Sequence, residues 1–257
     1  MPFTGFGAES VLCTQNSNLN QRSFSEAVQM RTDAEFTLVN WNAHKLADSK
    51  FISDLALLGI SADLITLQEA MHSAEYEELF IKNFDFDMSF FKSFCSGKKQ
   101  EATGVMNLSR VHLENNLTLV SPGREPITNT PKVSGYSLVR IEGIGPVHVI
   151  NTHALNFNLG GDFKRHIDSI AQLIEQLEGP VMWVGDFNTW NVLRTNHLVK
   201  LTEKLGLKHV ELSNDERTLK LDHVFVRGLT VKSAEVLKGF NSSDHKPIRV
   251  IFNRQAL

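Results

Sequence analysis

The sequence predicts an α/β sandwich, two packed sheets covered on their outer faces by helices. Three observations carry that expectation. Short runs rich in β-branched and apolar residues recur along the chain (FTLVNWN, DLITLQE, TGVMNLSR, YSLVRIE, VHVINTH, PVMWVGDFN, LDHVFVRG and IRVIF), each of strand length and each bounded by turns or helical stretches. Between them stand segments with the helical period. The 257 residues, 42% hydrophobic and 21% charged, give one large domain enough apolar side chain for a sizeable core.

Taken in chain order, residues 1–34 are rich in Asn, Gln, Ser and Thr without a sustained period, so they read as an irregular arm that straps the body. Residues 35–257 form the single domain. A helix is expected over 48–58 and another over 197–205, the latter ended by Gly206. The clearest helix spans 162–177: Phe163, Ile167, Ile170, Ile174 and Leu177 step by three and four residues, which lays one apolar stripe against a sheet.

The net charge of -3 supplies no overall basic field, so attraction to nucleic acid would need a local patch or a cation. The two cysteines, Cys13 and Cys95, lack metal-knuckle or redox spacing and read as reduced thiols. No run approaches the ~20 apolar residues of a membrane span, and no basic start leads into an apolar stretch. A cytoplasmic monomer without membrane insertion is the expectation.

Polar residues fall repeatedly at the C-terminal ends of the apolar runs, where strands aim them at one rim. Asn40 and Asn42 end the first run, Gln68 and Glu69 the second, Asn151 and His153 a later one. In PVMWVGDFN, Gly185 permits a tight backbone before Asp186 and Asn188. Asp222 opens LDHVFV, and Asp244 and His245 stand in the loop before the last strand. Each alone is ordinary strand-end or turn chemistry; six together have one economical cause, a shared site.

The ordered series WN, LQE, NTH, GDFN, LDHVFV and SDHKP, spanning residues 36–252, resembles the endonuclease/exonuclease/phosphatase superfamily, which includes pancreatic deoxyribonuclease, abasic-site endonucleases, neutral sphingomyelinases and inositol polyphosphate phosphatases. GVMNLS, REPI, NTHALNFNLG and GDFNTWN resemble most the bacterial YafD-like group. The resemblance implies a DNase I-like four-layer α/β sandwich of two mostly antiparallel sheets with a Mg2+- or Mn2+-dependent site at one rim. By position it implies Glu69, Asn42 and Asp244 as metal residues and Asp186 and Asn188 as the pair that orients water and a phosphate oxygen. It implies His245 as general base or phosphate-binding histidine with Asp222 as its partner, and His153 as a donor to phosphate or leaving group. Arg124 in REPI is the candidate substrate contact.

These roles suit the chemistry, because an anionic ester needs positive charge on its nonbridging oxygens and a deprotonated water in line with the leaving oxygen. Mg2+ takes oxygen ligands and keeps several waters, so one strong carboxylate with amide oxygens suffices. An Asp beside an imidazole fixes its tautomer and raises its pKa. The pancreatic enzyme pairs its histidine with a strand glutamate that this chain lacks in register, Glu101 lying just before the strand, so phosphate binding is the firmer role for His153. His223 is read as structural, since alternation turns it from Asp222. Arg110, Lys132 and Arg194 are read as surface charges, and Trp190 as packing beside GDFN. The expected function is hydrolysis of phosphodiesters, DNA or RNA first among substrates. The rivals are a phosphoesterase of a small phosphorylated molecule or lipid headgroup and a noncatalytic binding module of the same fold.

Overall fold

A computed structural model describes residues 19–21, 34–72, 77–96, 101–157 and 161–254. Two sheets form the body. The first has the order β1 (Leu19–Gln21), β4 (Asp87–Ser96), β5 (Glu101–Ser109), β3 (Leu64–Met71), β2 (Glu35–Asn42), β13 (Ile248–Asn253), β12 (Val231–Val236). The second runs β10 (Lys208–His209), β11 (Asp222–Arg227), β9 (Val181–Asp186), β8 (Gly145–His153), β7 (Pro131–Ile141), β6 (Leu113–Arg124). The arm therefore contributes a strand, since Leu19–Gln21 pairs antiparallel with β4 at the sheet edge.

Each sheet contains one parallel pair, and each pair is joined by a helical crossover, as parallel neighbours require. In the first sheet β2 and β3 are linked through α1 (Phe51–Gly59). In the second, β8 and β9 are linked through α2 (Asp162–Glu175). A parallel pair ends at one rim. Asn42 and Glu69 thus leave the first sheet together, and His153 pairs in register with Asp186 in the second.

Strand alternation sorts the apolar side chains into layers. Between the sheets pack Leu38, Leu64, Val149, Val184, Val224 and Val250. Outside the first sheet, Trp41 and Ile65 meet Phe51 and Leu55 of α1. Outside the second, Ile150, Trp183 and Phe225 meet Phe163, Ile167, Ile170 and Ile174 of α2, the stripe that the period predicts. α2 ends at Glu175, and Leu177 still packs against this layer.

The third helix, α3, covers Val192–Lys204 and starts five residues before the expected 197. The Asn191 side chain caps it, accepting the Arg194 N–H at 2.9 Å, as an N-cap oxygen does for an orphan donor. Gly206, at φ 67, ends it as expected. Cys95 is not the reduced thiol that the sequence implied: it is disulfide-bonded, while Cys13 lies outside the described residues. Among the described residues no helix is long and apolar enough to cross a membrane.

Candidate functional site

Beneath the rim, the strand-end amides that the sequence singled out cross-link the two sheets. Gln68 donates to Asn40 Oδ1 at 2.8 Å and to Asn151 Oδ1 at 2.6 Å. The Asn151 amide donates to Leu67 O at 3.1 Å and to Asn107 Oδ1 at 3.0 Å. All are buried; Asn40 Nδ2 and Gln68 Oε1 are left without a partner among the described residues, while the bonds that are made tie the register of one sheet to the other. The network forms the floor of the site.

Above that floor Asp186 is the hub. Its Oδ1 accepts the Asn188 N–H at 2.9 Å, and its Oδ2 accepts the Asn42 amide at 3.0 Å. His153 Nε2 lies 3.6 Å from Oδ2 and His245 Nε2 4.0 Å. Burial, and then the charge of Asp222, push the Asp186 carboxyl up to about 7. Asp222 Oδ2 holds His245 Nδ1 at 2.8 Å. Burial opposes charge on His245, but Asp222, with Asp186 and Asp244, outweighs it and raises the imidazole to about 10. His245 is therefore a cation at neutral pH, suited to gripping an anion and unsuited to taking a proton.

Glu69 completes the rim on the other side. A β-bulge between Leu67 and Ala70 and a left-handed φ of 47 turn its carboxylate inward, the kind of local strain that persists where a site requires it. One oxygen lies 3.8 Å from both Lys132 Nζ and His153 Nε2; the other lies 3.8 Å from Lys45 Nζ. Lys45 is carried by a turn in which His44, Lys45 and Leu46 all have positive φ. Asn188, at φ 49, donates its amide to Ala154 O at 2.9 Å.

Lys132 is a site residue that the sequence reading placed on the surface. Its side chain is only 13% exposed, and its Nζ is 2.9 Å from His153 Nε2. Burial pulls its ammonium below the ordinary value, with Glu69 opposing. Burial, and next the Lys132 charge, hold His153 well below its ordinary pKa. A neutral imidazole facing an ammonium must accept, so Nε2 carries no proton to give a leaving group. Lys132 is the second residue of β7, two before Ser134, which pairs with Thr152 beside His153.

The other expectations divide. Arg194 is buried and clamps the loop after His153, donating to Leu155 O at 2.7 Å and Asn188 O at 3.0 Å. Arg110 likewise donates to Ala62 O, Phe84 O and Gly59 O, so both support the fold rather than the surface. Arg124 donates to Asn129 O within its own exposed turn at 2.8 Å; its neighbour Glu125 is the inward residue, accepting the Asn156 N–H at 2.7 Å. Asp244 is largely exposed and faces His44 at 3.4 Å. Trp190 donates to Asn156 O at 3.1 Å beside the GDFN turn. His223 faces away from Asp222's partner and contacts Thr189 Oγ1 at 2.7 Å.

The donor chemistry fits a hard divalent cation. Asp186 and Asp222 offer carboxylate oxygens within 4.8 Å of each other and of a His245 ring nitrogen, and Asp222 Oδ1 is buried without a hydrogen-bond partner among the described residues. Carboxylate oxygens are what Mg2+ and Mn2+ select. This trio differs from the Asn42, Glu69 and Asp244 set implied by resemblance. Asn42 Oδ1 accepts the His44 N–H at 3.0 Å.

Comparison with known proteins agrees with this geometry. The chain is 31% identical over 237 residues to a UPF0294 protein of Vibrio parahaemolyticus, covering 89% of this chain and 82% of that one. An endonuclease/exonuclease/phosphatase family protein from Leptotrichia buccalis superposes with a TM-score of 0.65 at 18% identity, over 84% of this chain and 99% of that one. D. rerio TDP2 complexed with single strand DNA product superposes at 0.62 and 15% identity, over 86% and 100%. The model of the Endonuclease/Exonuclease/phosphatase family matches residues 18–245. With its DNase I-like pair of sheets and this site at their common rim, the chain belongs to the endonuclease/exonuclease/phosphatase family.

Proposed function

We propose that the chain is a Mg2+- or Mn2+-dependent phosphoric ester hydrolase that cleaves phosphodiesters by in-line attack of water, acting as a monomer with nucleic acid as its substrate. The observation that supports this most is the meeting of Asp186, Asp222 and His245 with Glu69, Lys132 and His153 at one rim. The carboxylates at this rim would hold a divalent cation, which would supply positive charge to the phosphoryl oxygens. His245, kept charged by Asp222, and Lys132 add fixed positive charge at the same place. Asp186, oriented by Asn42 and the Asn188 N–H, positions the attacking water and takes its proton.

A substrate panel tests the reading: plasmid DNA, single-stranded RNA, phosphomonoesters and sphingomyelin, with Mg2+ or Mn2+ and with chelator. Cleavage of nucleic acid that chelator, Glu69→Ala and His245→Ala each abolish is the expected result. Phosphate release from monoesters alone would replace the nuclease reading with a phosphatase one, and no turnover on any substrate would leave a binding module.

A further inference from the structure

Space around the catalytic cluster is lopsided. On the side of Glu69, Lys132 and His153, the gap closed by Phe94 and Val133 holds only about 10 Å³. On the opposite side a cleft of about 610 Å³ opens directly against Asp222 and His245. That volume falls in the range that encloses most of a small organic ligand.

The wall of the cleft is mixed in a particular way. Leu219, Leu221 and Val236 give it an aliphatic face, and Arg217, Lys238 and Lys246 give it cations among the carboxylates of Glu216, Asp222 and Asp244, with Lys238 paired to Glu216. The wall is also braced. Arg217 is only 9% exposed at its side chain; it bonds Asp215 at 2.8 Å and donates to the carbonyl of the catalytic Asp222 at 3.1 Å. The Ser213 N–H donates to Ala234 O, and the Val236 N–H donates to Ser213 O, so the 213–221 loop is stitched to β12. A ring body laid on aliphatic side chains, with hydroxyl or phosphate oxygens toward cations, is the ligand such a surface favours.

We propose that this cleft is a subsite for a nucleoside-sized substituent of the phosphoester substrate, its phosphate at Asp186 and His245 and its ring body against Leu219, Leu221 and Val236. The inference rests on the phosphoesterase reading and narrows it to esters whose phosphate carries a nucleoside on the Asp222 and His245 side.

Calorimetric titration with adenosine monophosphate and with inorganic phosphate, both with Mn2+ present, tests it alongside the substrate panel. The wild-type chain is expected to prefer the nucleotide by about ten-fold or more, and Leu221→Trp, which fills the cleft, is expected to bring that ratio close to one. Thr218→Trp, at the exposed lip, carries the same test should Leu221→Trp fail to fold. Equal affinity for the two ligands in a wild-type chain that hydrolyses the panel would overturn the subsite and leave the hydrolase reading standing. A preference that survives in both folded variants would also overturn it. Absence of both turnover and phosphate binding would remove the hydrolase reading and the subsite with it.

Discussion

The ammonium of Lys132 stands 2.9 Å from Nε2 of His153 and 3.8 Å from a carboxylate oxygen of Glu69. It is a buried cation placed where a phosphoryl group would meet the second sheet. Lys132→Met is expected to lower kcat by about a hundred-fold, the cost of removing one preorganised charge from a transition state, and Lys132→Arg is expected to recover part of it. Because the Lys132 charge helps hold His153 below its ordinary pKa, the same Met variant is expected to raise the His153 pKa. Imidazole NMR titration of metal-free protein reads that shift, and an unmoved His153 with unaltered kcat would return Lys132 to a structural role.

Asp222 and His245 form a second coupled pair, at 2.8 Å. Burial alone would lower the imidazole, and Asp222 reverses that to reach about 10. Asp222→Asn removes the largest opposing cause and leaves Asp186 and Asp244 against burial, so the His245 pKa is expected to fall and the imidazole to lose charge at pH 8. Turnover at that pH is expected to fall by about a hundred-fold or more. Rates of the two proteins at pH 8, with NMR titration of the metal-free imidazole, check it; a variant imidazole that still titrates near the wild-type value would contradict the assignment.

His166 is fully buried in α2, and neither ring nitrogen has a hydrogen-bond partner among the described residues. Burial, and then the Lys132 charge, lower it to about 3. The folded pKa lies below the unfolded 6.5, so the unfolded chain binds the extra proton between those values. The stability that neutral His166 contributes is complete above 6.5 and is lost as pH falls toward 3, at about 1.4 kcal/mol per pH unit in mid-window. Asp186, whose pKa is raised to about 7, acts with the opposite sign, but equally in both proteins compared. His166→Leu removes an unpaired polar group worth about 1–3 kcal/mol. It is expected to stabilise the fold at pH 8 and to stabilise it more at pH 5, read by urea unfolding at both.

The residues that make the site were legible because parallel strand pairs end at one rim and the polar groups there interrupt strongly apolar runs, as at Glu69 and Asp186. Strands with a weaker signal were not. β6 carries Glu114, Asn115, Asn116 and Thr118 at the sheet edge, where one face meets water and the apolar pattern thins, and β4 hides its alternation in Phe90, Phe91 and Phe94. Lys132 was read as a surface charge for a different reason. A lysine is usually solvated, and only the pairing of β7 with β8 brings it beside His153. Arg194 and Arg110 answer carbonyls far away in sequence, which no local pattern records.

Gly185, within β9 just before Asp186, has φ 137, and a Cβ built there would lie 1.9 Å from the backbone oxygen of Thr152. The two residues pair in register where β8 and β9 deliver His153 and Asp186, so the close approach sets the separation of the two site-bearing strands. Gly185→Ala is expected to cost about 3 kcal/mol or more, since neither the backbone angle nor the facing carbonyl can yield without parting the strands. Gly179, at φ 87, has nothing within 4 Å of the same added atom. Gly179→Ala therefore isolates the cost of the backbone angle, about 1–2 kcal/mol. Urea midpoints for the two variants separate angle from collision: equal losses would mean that the Thr152 contact carries no strain, whereas a larger loss at Gly185, accompanied by reduced turnover, places the constraint at the strand pair that builds the site.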